Sequence, residues 1–151
     1  MPTSGKNSQR TVDRRGSFSI LVVSPQSEDY VALNRMFGNR VFRFASAASV
    51  ADARFFVEHN QPEVVVTERD LPDGDWADVL IVSRTSPLVV ASRQADDELW
   101  TTVLNIGGYD VLRKPFEPDE VVRVLSMATF HSQRRRPAGR ASLEYLAANV
   151  H

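Results

Sequence analysis

The sequence predicts an α/β fold in which one five-stranded parallel sheet is doubly wound, with helices on both faces. Two observations support this prediction. From residue 18 onward, short apolar runs alternate five times with segments of helical periodicity. The runs are also continuous in apolar and β-branched residues, as expected for strands buried on both faces. Because parallel strands need helix-length crossovers, five such repeats predict one sheet covered by helices.

The first two repeats have clear strand and helix signals. The apolar run FSILVVS predicts strand one, and Tyr30, Leu33 and Phe37 follow it at spacings that place them on one helical face. The run VFRFA predicts strand two. Ser49 and Asp52 after it resemble the capping box that opens a helix.

The last three repeats include one short helix. The strand EVVVTE is followed by an acidic loop, RDLPDGD, and by WADVLIVS, which allows only about two turns of helix. The strand PLVVAS precedes the helix DDELWTTVLNI, whose first acids suit the positive end of a helix dipole. The strand YDVLRKP ends the sheet, and Pro118 opens the last helix.

Composition narrows the class of protein. The chain has no cysteine, which excludes disulfides, thiolate metal sites and cysteine nucleophiles. No apolar run has the length needed to span a bilayer, and the N-terminus lacks the apolar stretch of a secretion signal. We therefore expect a cytoplasmic protein.

Charge divides the chain into three parts. Residues 1–17 and 132–151 each carry four basic residues and one acid, so each has a net charge of +3 within a total of −1. We interpret them as a flexible basic segment and as a basic linker with a possible short C-terminal helix, on either side of a domain at 18–131. Short basic runs are usually solvated ends, although they can contact nucleic acid.

A set of polar and proline residues follows four of the predicted strands. In parallel α/β sheets, ligands bind beyond the carboxyl ends of the strands, so this set forms the candidate site. Its members are Ser24, Pro25, Glu68, Ser92, Arg93, Lys114 and Pro115.

Residues 18–131 resemble the receiver domain of two-component response regulators. The resemblance rests on ILVVS, ERDLPDG and, most specifically, LRKPF. It implies the flavodoxin-like fold with strand order 2-1-3-4-5 and a place in bacterial phosphorelay signalling. In receivers, an aspartate at the end of strand three accepts phosphate from a histidine kinase. With two acids after strand one, it also holds magnesium.

The acidic positions of that pattern are changed in this chain. The acidic pair falls on Ser24 and Pro25, neither of which supplies a carboxylate. The acceptor position falls on Glu68, whose extra methylene displaces its oxygens from where in-line transfer needs them. The resemblance therefore implies a pseudo-receiver with a lost magnesium site.

At the other positions of the receiver pattern, two residues match the family and two differ from it. Ser92 matches the hydroxyl position and can hydrogen-bond a phosphoryl oxygen or Glu68, and Lys114 is retained and can pair with Glu68. Arg93 stands where the family usually has a small residue, and the switch aromatic is replaced by Val111. The third helix is shorter than the family norm.

The sequence leaves two alternatives open for the role of Glu68 and two for the roles of Asp70 and Asp73. Glu68 is either a permanent mimic of the phosphorylated state or a leftover acid satisfied by Lys114. Asp70 and Asp73 are either replacement metal ligands, with phosphorylation at a shifted acid, or residues of a solvent-facing turn at Asp73-Gly74. We favour the turn.

The resemblance also implies an interaction face. Helix four, strand five and helix five form the expected partner or homodimer surface, to which Trp100, Val103 and Arg123 would contribute. For Trp76 and Trp100, core packing is an equal alternative.

The favoured hypothesis is a stand-alone pseudo-receiver that binds a histidine kinase or an output protein without phosphorylation. Nucleic-acid binding through the arginine tails is weaker, because no DNA-reading domain is recognisable. An enzyme is the weakest hypothesis. His59, His131 and His151 share no metal-ligand spacing, and the sequence shows no catalytic triad and no glycine-rich phosphate loop.

Overall fold

The structure is a computed structural model that describes the backbone of residues 17–38 and 41–145, with side chains in that part up to residue 134. The basic segment predicted at 1–17 therefore lies outside the described residues except for Ser17. The end of the chain after residue 145 also lies outside them.

Seven strands and five helices follow one another in the described part of the chain. In chain order they are β1 (Phe18–Val23), α1 (Ser27–Phe37), β2 (Phe42–Ala47), α2 (Val50–His59), β3 (Val64–Glu68), β4 (Asp70–Leu71), β5 (Gly74–Asp75), α3 (Trp76–Ser83), β6 (Leu88–Ser92), α4 (Asp97–Ile106), β7 (Asp110–Arg113) and α5 (Pro118–Tyr145).

Five of the strands form one parallel sheet. Its order is β2-β1-β3-β6-β7, and every neighbouring pair is parallel. This order is the predicted 2-1-3-4-5 arrangement, so the fold prediction is confirmed. Helix α3 has eight residues, against eleven in α1 and ten in α2, as its short apolar segment predicted.

The sheet is buried on both faces, which explains the continuous apolar runs. In β1, Leu21 and Val23 pack with apolar residues of α2, α3 and α4. The alternate residues Ile20 and Val22 pack on the opposite face with α1 and α5. Successive strand residues point to opposite faces, so a strand covered on both sides needs apolar residues at every position.

A small antiparallel hairpin, β4 and β5, replaces the predicted acidic loop after β3. Its pairs are Asp70 with Asp75 and Leu71 with Gly74. Leu71 is buried in the core and anchors the hairpin. Strands of two residues are too short to produce a periodic pattern, which is why the sequence indicated only a loop.

The hairpin also caps two helices. The Asp73 carboxylate accepts hydrogen bonds from the backbone N–H groups of Val50 and Ala51 at the start of α2, at 2.8 and 3.0 Å. Asp75 caps α3 and forms a capping box with Asp78. The acids of this segment therefore stabilise helix ends.

Helix α5 continues past the predicted domain boundary. The sequence indicated a basic linker from residue 132, whereas the backbone is helical as far as Tyr145. Ser132 is still fully buried, and Gln133 and Arg134 are good helix formers, so nothing ends the helix at the boundary. None of the helices in the described part of the chain combines the length and the hydrophobicity needed to cross a membrane.

Replacing Asp73 by asparagine is expected to weaken the fold at neutral pH. Hydrogen bonds from Val50 and Ala51 hold the pKa of Asp73 below its usual value of 3.8. A lowered folded-state pKa contributes stability that is present above 3.8 and is lost as pH falls through that pKa. In urea unfolding, the difference between wild type and Asp73→Asn should be largest at neutral pH and should shrink below pH 3.8.

Asp70→Asn is the matched control on the same hairpin. The Asp70 side chain is 79% exposed and its ion pair with Arg69 is long, at 3.7 Å. Equal losses of stability in the two variants would contradict the capping role of Asp73.

Candidate functional site

The residues that follow the strands lie side by side at one edge of the sheet. Ser24 follows β1, Glu68 ends β3, Ser92 ends β6 and Lys114 follows β7. Because these strands are neighbours in a parallel sheet, their carboxyl ends meet there. The backbone N–H of Lys114 donates to the Ser92 carbonyl at 3.0 Å, which continues the sheet register into the site.

The Lys114 ammonium is the centre of this site. Its side chain is 3% exposed, and Nζ donates to Glu68 Oε1 and, at 2.7 Å, to Asp29 Oδ2. A buried ammonium is unfavourable unless it is paired and hydrogen-bonded. Two carboxylates from different elements provide that pairing, and the predicted Glu68–Lys114 contact is present.

Asp29 is the site residue that the sequence reasoning missed. It lies in the first turn of α1 and is buried, and its Oδ2 also accepts a hydrogen bond from Ser24 Oγ at 2.7 Å. Ser24 and Pro25 supply no carboxylate, as expected, but a helix residue a few positions later does. The signal was present, because Asp29 precedes the inward-facing Leu33 by one helical turn.

Glu68 and Ser92 each have a backbone partner. Glu68 Oε2 accepts from the backbone N–H of Arg69 at 2.9 Å, so both carboxylate oxygens are engaged. Ser92 is buried, and its hydroxyl oxygen accepts from the N–H of Gln94 at 3.0 Å. Among the hydrogen bonds of the described residues, none joins Ser92 to Glu68.

An open cleft of about 380 Å³ lies beside these residues. Arg93 lines it but is exposed, and the cation that pairs with Glu68 is Lys114 rather than Arg93. Pro115 follows a cis peptide bond and is exposed. The cleft is lined by Pro25, Gln26, Glu68, Arg69, Asp70, Ser92, Arg93 and Gln94.

Asp70 and Asp73, the two acids considered as replacement metal ligands, do not lie together with Glu68 around a common centre. Asp70 is exposed at the rim of the cleft, and Asp73 caps α2. Within the described residues, no group of three or more histidine, cysteine or acidic side chains is arranged to hold a metal ion. The two carboxylates that do converge, Asp29 and Glu68, are bridged by Lys114.

Of the three residues predicted to contribute to the interaction face, two are exposed and one is buried in the core. Trp100 is 48% exposed and its indole N–H donates to Asp110 at 3.3 Å, and Arg123 is also exposed. Val103 is fully buried beside Leu99, four residues earlier in α4, so its assignment to a surface is wrong.

Trp76 and Val111 both belong to the core. Trp76 opens α3 and is buried, so core packing is correct for it and the surface alternative is wrong. Val111, at the switch-aromatic position, is buried in β7 opposite Val90.

Relatives of known sequence were found for most of this chain. No family model matches it. The transcriptional regulatory protein KdpE of Mycobacterium tuberculosis is 30% identical over 128 residues, which cover 83% of this chain. The chain spans 54% of that relative, or about half of its length.

Solved structures show the same fold. The receiver domain of the Francisella response regulator 1452 has a TM-score of 0.69 and 21% identity, covering 77% of this chain and 99% of that one. The receiver domain of the sensor histidine kinase PA1611 from Pseudomonas aeruginosa PAO1 has a TM-score of 0.65 and 20% identity, covering 75% and 98%. In that structure a magnesium ion is coordinated in the active site cleft.

Replacing Lys114 by methionine is expected to lower the free energy of unfolding by about 3 kcal/mol, because it leaves two buried carboxylates facing each other without a cation. Urea denaturation followed by tryptophan fluorescence measures this change. Arg113→Met is the control, because Arg113 is the adjacent cation and is exposed. Similar losses in both variants would contradict a structural role for the Lys114 pairs.

Proposed function

From the premise that this chain has the receiver fold of the response regulators it resembles, we propose that it is a pseudo-receiver in bacterial two-component signalling. It acts through protein–protein contact and accepts no phosphate. We also propose that it is cytoplasmic, has no enzyme activity and holds no resident metal. The observation that best supports this proposal is that the Lys114 ammonium is bound by both Glu68 and Asp29.

Phosphoryl transfer is disfavoured by charge as well as by geometry. A transferred phosphoryl group needs a divalent cation held by hard oxygen ligands to offset its charge. Ser24 and Pro25 provide no carboxylate for that cation, and the Asp29 carboxylate is engaged by Lys114 and Ser24. Each Glu68 oxygen accepts a hydrogen bond, one from Lys114 Nζ and one from the Arg69 N–H, which lowers its nucleophilicity.

The contact between Glu68 and Lys114 is compatible with both interpretations of Glu68. A mimic of the phosphorylated state and a leftover acid would both bind the nearby ammonium. The second oxygen of Glu68 is bound to the Arg69 N–H of its own loop, which favours a structural acid over a phosphate mimic.

We place the partner face on α4, β7 and α5. Trp100, Val122 and Met127 are large apolar side chains with substantial exposure there, and Arg123 adds a cation. Exposed aromatic and arginine side chains are frequent anchors of protein interfaces. The expected partners are a histidine kinase, an output protein or a second copy of this chain.

The second candidate is contact with nucleic acid through the arginine-rich tails. Its support is that the KdpE relative is a transcriptional regulatory protein. Of the eight basic residues involved, four lie before the described part of the chain, and among the other four the side chain is described for Arg134. Binding to duplex DNA that weakens steeply with salt would favour this candidate over the pseudo-receiver.

Incubation with acetyl phosphate and Mg²⁺ is expected to leave the intact mass of the wild-type protein unchanged. Glu68→Asp alone should also remain unmodified, because it restores none of the missing magnesium ligands. A conventional receiver treated in parallel is the positive control. A phosphate-sized mass gain in this protein, mapped to Asp70 or Asp73, would instead identify a receiver phosphorylated at a shifted acid.

Arg123→Glu is expected to weaken self-association or partner binding by roughly tenfold, because it reverses a charge on the proposed face. Sedimentation velocity over a range of protein concentrations measures self-association. Arg54→Glu on α2 is the control, because this residue is also exposed but lies away from the proposed face. A monomer at every concentration would exclude a second copy as the partner, and equal effects of both variants would contradict the face.

A further inference from the structure

The two carboxylates of the site are bridged by a side chain of the protein itself, the Lys114 ammonium. We propose that Asp29, Lys114 and Glu68 form a built-in cation clamp, in which the Lys114 ammonium replaces the metal and Asp29 replaces the lost acidic pair. This inference rests on the same Lys114 pairs as the proposed function. It concerns ion binding and is tested without a phosphodonor or a partner, so its failure can be distinguished from failure of the proposed function.

The first support is the convergence of oxygen ligands on one cation. Asp29 Oδ2 lies 2.7 Å from Lys114 Nζ and 2.7 Å from Ser24 Oγ, and Glu68 Oε1 contacts the same ammonium. The two ligands of the ammonium come from α1 and from the end of β3. Ser24, in the β1–α1 connection, does not bind the ammonium but donates a hydrogen bond to Asp29 and so helps to hold that carboxylate in place.

The second support is burial. The side chains of Lys114, Asp29 and Glu68 are 3%, 11% and 18% exposed. At this burial, the charged form of either carboxylate is unfavourable without a nearby cation. The two acids and one ammonium leave a net charge of −1 at the site, so the carboxylates would attract a divalent ion if the ammonium were absent.

The third support is the covalent attachment of the cation. A metal ion must be captured from solution, whereas the Lys114 ammonium is always present at a high effective concentration. A metal held by two carboxylates and a hydroxyl binds weakly compared with sites that have six or more oxygen ligands. The tethered ammonium therefore excludes the metal, and the clamp exists whatever the metal concentration.

Selective acetylation of lysine tests the clamp in the intact chain. The sequence contains two lysines, Lys6 and Lys114, so Lys6 is an internal reference for reactivity. With acetic anhydride and peptide mass spectrometry, we expect Lys114 to react far more slowly than Lys6 in the wild type. Asp29→Asn should increase the Lys114 rate by roughly tenfold or more, because it removes one charged hydrogen bond from a buried ammonium.

Glu28→Gln is the matched control for this experiment. Glu28 lies in the same turn of α1 as Asp29 but is exposed, so its loss should leave the Lys114 rate unchanged. An unchanged Lys114 rate in Asp29→Asn, or equal increases in both variants, would overturn the clamp.

A metal titration tests whether the ammonium replaces a metal. In Lys114→Met the two carboxylates remain without their cation, so Mg²⁺ or Mn²⁺ should raise its melting temperature in a concentration-dependent way. The wild type and the double variant Lys114→Met with Asp29→Asn should show no such rise.

Two outcomes of the titration would overturn the proposal. One is an equal rise in the wild type, and the other is the absence of any rise in a folded Lys114→Met variant. If Lys114→Met does not fold, the acetylation experiment decides, because every chain in it retains Lys114.

Discussion

The buried ammonium of Lys114 is the interaction on which the arrangement of the site depends. A positive charge that is almost completely removed from water must be paired, and here the pairing reaches two elements that are distant in sequence. Asp29 is 85 residues away and Glu68 is 46 residues away. The pairing therefore joins the start of α1, the end of β3 and the connection from β7 to α5. In a fold of this type these three segments surround the place where chemistry is expected.

The sheet makes that pairing possible. All five strands are parallel, and each is paired in register with its neighbour. Residues at the carboxyl ends of different strands therefore lie side by side without any special loop conformation. Burial on both faces then removes the surrounding backbone from water, which increases the cost of an unpaired charge. The same packing that specifies the fold therefore also requires the charged side chains at the carboxyl ends of the strands to be paired with one another.

Much of the fold and half of the site could be predicted from the sequence. Continuous apolar runs identified the strands, and strand ends identified Glu68 and Lys114 as neighbours. The positions of the strand ends do not indicate Asp29, because this carboxylate enters the site from the first turn of a helix. The receiver resemblance assigns helix four to the partner face and so includes Val103, but its spacing of four residues from Leu99 puts both on the inner face of α4. The hairpin of β4 and β5 has strands too short for any periodic signal.

The length of α5 has a mechanical consequence. The helix has 28 residues and begins four positions after Lys114, and Val121, Val124, Leu125 and Ala128 pack it on the sheet. Pro137 lies inside the helix and has no backbone N–H to donate, so the part of α5 without this interruption runs from Pro118 to residue 136 and is about 28 Å long at 1.5 Å per residue. A tilt of about 10° at its base, beside the charged site, would move residue 136 by about 5 Å. Small movements around Lys114 would thus produce larger displacements farther along α5.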